Sequence, residues 1–114
     1  MLHTVSLKDN SRFRRLYRRG ATVGNRYLVF YCSRSPQAVN RIGITVSAKL
    51  GHAVVRNRLR RRLREIYRLH ETQFKVGYDI VVVARSNAIT ADFSALTQAY
   101  LSLAKKLDLL EATE

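Results

Sequence analysis

Acidic residues are scarce in this chain: eight Asp and Glu stand against 21 Lys and Arg in 114 residues. They are also scattered singly, at Asp9, Glu65, Glu71, Asp79, Asp92, Asp108, Glu111 and Glu114. A protein that cuts phosphodiesters needs clustered carboxylates for metal ions, or a positioned base and acid, so the pattern argues against an autonomous nuclease. Cysteine is scarcer still. Cys32 alone cannot close an internal disulfide, and no Cys/His cluster has metal-ligand spacing; the expectation is a cytoplasmic protein with no metal or cofactor of its own. The one proline, Pro36, lies in a polar stretch, and no linker, internal repeat or low-complexity tract divides the chain. One domain over 1–114 is expected, with 1–6 flexible. No segment approaches the roughly 18 to 20 apolar residues of a membrane span, and Met1 to Ser6 lacks the charged-then-apolar layout of a signal peptide, so no membrane contact is expected.

What the chain has in excess is arginine. The formal charge is +13 and the pI about 10.9, values that draw a protein to phosphate-rich partners. Sixteen of the basic residues are Arg and five are Lys, a bias toward bidentate phosphate and base-edge contacts over plain charge neutralisation. A hydrophobic content of 46% separates it from a disordered basic tail.

Three strands and three helices can be read from periodicity. Asp9 or Asn10 caps a first helix with Phe13, Leu16 and Tyr17 on one side, ending at Gly20. Tyr27 to Cys32 is a strand apolar on both faces. Ser33 to Asn40 is a loop. A second strand, Arg41 to Val46, sets Ile42, Ile44 and Val46 on one face and Gly43 and Thr45 on the other. Gly77 to Ala84 is the most buried-looking strand, and Phe93, Leu96, Tyr100, Leu103 and Leu107 form the stripe of a last helix. Strand, helix, strand over 41 to 84 implies a βαβ unit with the outer helices covering the sheet: an α/β, or α+β, two-layer sandwich on a small mixed sheet.

Between the second and third strands lies the most informative segment. Arg56 to Arg64 holds six arginines in nine residues, while Leu59, Leu63, Ile66 and His70, with Val55 one turn earlier, keep the spacing of a helix face. At about 100° per residue, Arg56, Arg60, Arg64 and Arg68 then climb as a ladder with Asn57 and Arg61 beside them. Like charges four apart cost a helix about 0.2 to 0.5 kcal/mol per pair. Solvated helices interleave acids, and between 56 and 68 only Glu65, near Arg61, does so. Such a face fits the electrostatic footprint of phosphate binding. Lys49, in the loop entering the helix, is a further phosphate candidate.

Lys49-Leu50-Gly51-His52-Ala53-Val54-Val55-Arg56-Asn57-Arg58, followed by Arg60, Arg61 and Arg64, closely resembles the Arg-Asn-Arg motif of the bacterial ribonuclease P protein family. Phe13-x-x-Leu16-Tyr17-x-x-Gly20, Arg41 to Ser47 and Tyr78 to Arg85 resemble that family's other blocks, in the same order. Tyr17 stands where Phe is common in the family and Arg60 where Lys is common; the ring and the charge are retained. The resemblance implies a left-handed βαβ crossover, opposite to the physical default. It implies a monomer in a one-to-one complex with a catalytic RNA subunit that removes the 5′ leader of precursor tRNA using magnesium held through the RNA. It also assigns roles: Lys49, Arg56, Asn57, Arg58, Arg60, Arg61, Arg64 and Arg68 to the RNA subunit, and Phe13, Tyr17 and Tyr31 to the leader, in a cleft between the first helix and the sheet. From the residues alone, core packing of the first helix is the favoured reading of Phe13 and Tyr17 over base stacking; Tyr31, or Val29 beside it, is the candidate cleft floor, and which face of that strand lines the cleft stays open. A small structural ribosomal protein, or another RNA-binding protein without a role in cleavage, is the rival reading. It would share the basic helix but need no cleft for a single strand.

Overall fold

The computed structural model describes residues 4–111. Five strands form one mixed sheet: β1 (Thr4–Ser6), β2 (Ala21–Gly24), β3 (Leu28–Arg34), β4 (Asn40–Thr45) and β5 (Tyr78–Ala84), in the order β1-β4-β5-β3-β2. The pairs β1–β4 and β4–β5 are parallel, and β5–β3 and β3–β2 are antiparallel. The helices are α1 (Asn10–Arg19), α2 (Ala53–His70) and α3 (Phe93–Lys106). The expected βαβ unit is therefore β4-α2-β5.

The α/β class and the three long strands agree with the sequence reading; β1 and β2 are additions. Thr4 to Ser6, expected to be flexible, pair with Asn40 to Ile42, while Met1 to His3 lie outside the described residues. Neither short strand carries a run of apolar residues, so its conformation comes from its partner rather than from local pattern. A polar chain holds β1 down as well. Asn40 donates to the Tyr67 hydroxyl (3.2 Å), which donates to Thr4 Oγ1 (2.7 Å), whose own proton goes to Glu71 Oε2 (2.6 Å). Burial raises the Tyr67 pKa, and the bonds to Thr4 and Asn40 oppose that shift.

The two faces of the sheet differ. On one, Leu28, Phe30, Cys32, Ile42, Ile80 and Val82 are sealed beneath Leu59, Leu63, Ile66 and Tyr67 of α2 and Leu96, Tyr100 and Leu103 of α3. Phe30 meets Tyr100 edge to face at 4.9 Å, a favoured ring geometry. The other face carries only α1, whose one fully buried side chain is Leu16, against Leu7 and Val81. The apolar stripe of α2 begins at Leu59: Val55, expected to belong to it, is 36% exposed and Val54 80%, so the first helical turn lies beyond the buried seam.

Three polar residues sink into this frame. Asn40, expected in a loop, opens β4 and uses its whole side-chain amide: Oδ1 accepts from Gly77 N (2.8 Å) and Tyr78 N (2.9 Å), and Nδ2 donates to Lys75 O (2.8 Å) and Tyr67. Arg41 and Asp79, opposite each other in the β4–β5 register, form a buried ion pair at 2.7 Å. Full pairing of this kind offsets the desolvation penalty that an unpaired buried charge or amide would carry.

Candidate nucleic-acid interface

The site begins with how α1 is seated. Asp9 caps the helix, its Oδ1 accepting from Ser11 N at 2.9 Å and from the Ser11 hydroxyl at 2.8 Å, bonds that hold its pKa below the usual carboxylate value. One turn on, the Arg12 guanidinium stands 3.7 Å from the buried Asp79 carboxylate. The helix ends at Gly20, with extended rather than left-handed dihedrals. Glycine is needed there for space: a Cβ would lie 2.7 Å from the Leu16 carbonyl oxygen and 3.0 Å from that of Cys32.

Between these anchors α1 presents Phe13 and Tyr17 to the thinly covered face. A Cβ on Gly43 would come within 2.5 Å of the Phe13 ring, so the bare position of β4 is where Phe13 settles. Tyr17 is 42% exposed and its hydroxyl lies 3.3 Å from Thr45 Oγ1. Its ring meets Tyr31 edge-on at 4.9 Å and lies 6.3 Å from Phe13. Strand alternation turns Leu28, Phe30 and Cys32 into the dry core and sets both Val29 and Tyr31 on the α1 side; of the two, Tyr31 packs beside Leu16 and Val81 and meets the Tyr17 ring. Phe13, Tyr17 and Tyr31, far apart in sequence, thus share one surface. A hollow of about 540 Å³ opens along it, lined by Asn10, Phe13, Arg14, Tyr17 and Thr45.

Arg64 links this surface to the arginine helix. A second hollow of about 300 Å³, at the β1–β4 edge, is bordered by both Phe13 and Arg64, and Gly43 also lines it. Along α2, Arg56 Nε donates to the Gly51 carbonyl (3.1 Å) and Arg60 to Asn57 Oδ1 (2.8 Å). Arg61 and Arg64 are exposed with no carboxylate partner among the described residues. Two of the residues assigned to the RNA subunit, Arg68 of the ladder and Arg58 outside it, stand apart. Glu65 pairs with Arg68 rather than with Arg61, which lowers the Glu65 pKa and raises that of Arg68. Arg58 points elsewhere, bordering a separate hollow with Val54, Val55, Arg62 and Ile89. Lys49 is exposed in a short 3₁₀ turn, Ala48–Leu50, capped by Ser47. Sequence reasoning missed the buried Arg41–Asp79 pair, since a lone acid in a β-branched strand gives no sign of its partner 38 residues away.

Partly exposed rings beside guanidinium groups that lack carboxylate partners among the described residues are the combination a nucleic-acid-binding protein offers to single strands, rings for stacking and charge for the backbone. Among the described residues no group of three or more His, Cys, Asp or Glu is placed to hold a metal ion. The chain belongs to the ribonuclease P protein family: the family model described as Ribonuclease P matches residues 1–108. It is 44% identical over 110 residues to the ribonuclease P protein component of Caldanaerobacter subterraneus subsp. tengcongensis, covering 96% of this chain and 95% of that one. It is 40% identical over 107 residues to that of Clostridioides difficile, covering 93% and 94%. The ribonuclease P protein of Staphylococcus aureus superimposes with a TM-score of 0.86 at 32% identity, over 93% of this chain and 97% of that one. The Thermotoga maritima protein gives 0.82 at 29%, over 95% and 99%.

Proposed function

We propose that the chain is the protein subunit of ribonuclease P, acting as an RNA-binding module for tRNA 5′-end maturation, with the chemistry carried out by an RNA partner and its magnesium. One observation carries the reading: the hollow shared by Phe13 and Arg64 joins a ring-lined cleft to an arginine face, so one single strand and one folded RNA can be held side by side. In this arrangement Lys49, Arg56, Asn57, Arg60, Arg61 and Arg64 face the RNA subunit, with Arg58 and Arg68 at the margins of that contact. Phe13, Tyr17 and Tyr31 take the leader of precursor tRNA. The complex is one protein to one RNA. The protein lowers the magnesium needed for cleavage because its guanidinium groups replace counterions that otherwise screen the approach of two polyanions.

Purified protein, candidate RNA subunit and their mixture, each assayed on precursor tRNA at low magnesium, test this. The mixture cleaves, and protein free of RNA does not. Alanine at Arg56, Arg60 and Arg64 together flattens the log-affinity against log-salt line by somewhat under one unit per lost contact. Cleavage by RNA-free protein, or an unchanged slope, overturns the reading. A structural ribosomal protein would bind RNA with a similar salt slope yet leave precursor cleavage unaffected.

A further inference from the structure

Helix α1 has a second basic flank that the cleft does not use. A hollow of about 670 Å³ lies between this flank and the end of β3 with the loop that follows it. We propose that this hollow is a second site for an RNA backbone, one that reads phosphates and not bases.

Its walls are Arg12, Arg15 and Arg19 from α1 and Ser33, Arg34 and Ser35 from β3 and its loop. The acids bordering it are already matched. Asp79 is held by Arg41 and Arg12, and Asp9 caps α1 and lies 3.8 Å from Arg12. That leaves Arg15, Arg19 and Arg34, all exposed and without a carboxylate partner among the described residues. Arg34 is steered by the Tyr78 ring, 5.5 Å below its guanidinium carbon, a contact that orients the group without consuming its charge. Ser35 adds a donor. Its hydroxyl oxygen accepts from Arg41 Nη2 and from Gln37 N, both at 3.2 Å, so its lone pairs are engaged and its proton is left to donate. Three guanidinium groups and a hydroxyl proton around one concavity leave an excess of donors over the two matched carboxylates, and phosphodiester oxygens accept only. No aromatic ring lines the hollow, so it lacks the stacking platform of the opposite flank, and its recognition is independent of base identity. The site is separate from the leader cleft, and its failure would leave the cleft reading intact.

The test uses the whole chain and a single-stranded 12-nucleotide oligouridylate, which contains no leader, tRNA or RNA subunit. Affinity is followed against salt for the unaltered protein and for Arg15→Gln/Arg19→Gln/Arg34→Gln, each alone and combined with Arg60→Gln/Arg64→Gln. Three lost phosphate contacts on a single strand flatten the log–log slope by about 2 units, and the same change is expected when the ladder is already removed. Arg15→Lys/Arg19→Lys/Arg34→Lys, measured in the same way, keeps most of the slope because each charge is retained. An unchanged slope in the Gln variant, or equal loss in the Gln and Lys variants, overturns the proposal. In a second arm, amide resonances of Ser33 to Ser35 are followed during titration with oligouridylate and with inorganic pyrophosphate. Movement with both, and competition between them, is expected; movement with pyrophosphate alone would make this a small-anion site and overturn the RNA reading.

Discussion

The two faces of the sheet are made from the same strands and do opposite work. Beneath α2 and α3, side chains are large, apolar and sealed, from Leu28 and Phe30 to Ile80 and Val82. Beneath α1, the same strands offer Gly43, Thr45 and a half-exposed Tyr31, covered by a helix with one buried residue. On the proposed reading this face admits the leader, and a face that does so cannot also be closed over. Stability is accordingly concentrated on one side and adaptable ring surface on the other, which fits the expectation that binding regions come from the less densely buried end of a structure.

The strongest way to break this division is to remove a side chain from the dry face. Leu63→Ala, at a position with no exposed surface, is expected to cost about 2 to 5 kcal/mol, read by thermal or urea denaturation. The folded fraction should retain the salt slope of RNA binding. A parallel loss of slope in protein shown to be folded would mean the faces are not independent.

The contact between Gly43 and Phe13 sharpens the comparison from the other side. Gly43→Ala forces a methyl against the Phe13 ring and is expected to cost about 1 to 3 kcal/mol. Phe13→Ala in the same chain should recover much of that, so the double-mutant cycle is strongly non-additive. Additive losses would place the strain in the sheet instead.

Smallest is the effect at Tyr100, whose hydroxyl is buried with no hydrogen-bond partner among the described residues. Tyr100→Phe removes an unsatisfied polar group and is expected to hold or raise stability at neutral pH, by on the order of 1 kcal/mol. Burial raises the pKa of Tyr100, as it does that of Tyr67, above the ordinary tyrosine value of 10.0. The unfolded chain therefore releases these protons first: the stability is present below about pH 10 and is lost as pH rises beyond it. Tyr100→Phe should make that alkaline fall shallower, as denaturation midpoints across pH 9 to 11 will report. An equally steep fall would shift the cause to other groups.

Much of this was legible in the residues. The buried seam of α2, the β-branched run of β5 and the bare side of β4 all follow from spacing, because each repeats a period over several residues. The arginine ladder was legible for the same reason. The conformation of β1 and β2 was not, since three or four residues carry no period. Nor was the burial of Asn40, Arg41 and Asp79, polar residues whose tolerance of the interior depends on partners distant in sequence. Tyr31 could be assigned to the cleft only once the register of β3 against β5 had fixed which alternate residues meet the core. Arg58, which the resemblance and not the ladder assigns to the RNA subunit, borders a different hollow, as its place two residues from Arg56 and from Arg60, about 200° around the helix, requires.

The central claim is that the rings on the open face hold single-stranded leader rather than the fold. It is tested most directly by measuring how tightly the reconstituted complex binds precursor tRNA with and without its 5′ leader, using unaltered protein and Phe13→Ala, alongside the thermal stability of each free protein. The account predicts that Phe13→Ala weakens binding of leader-bearing substrate by about 1 to 3 kcal/mol. Binding of leaderless tRNA, affinity for the RNA subunit and melting temperature should stay nearly unchanged. A variant that loses melting temperature and binds both substrates equally poorly would show that Phe13 serves the core, and would contradict the account.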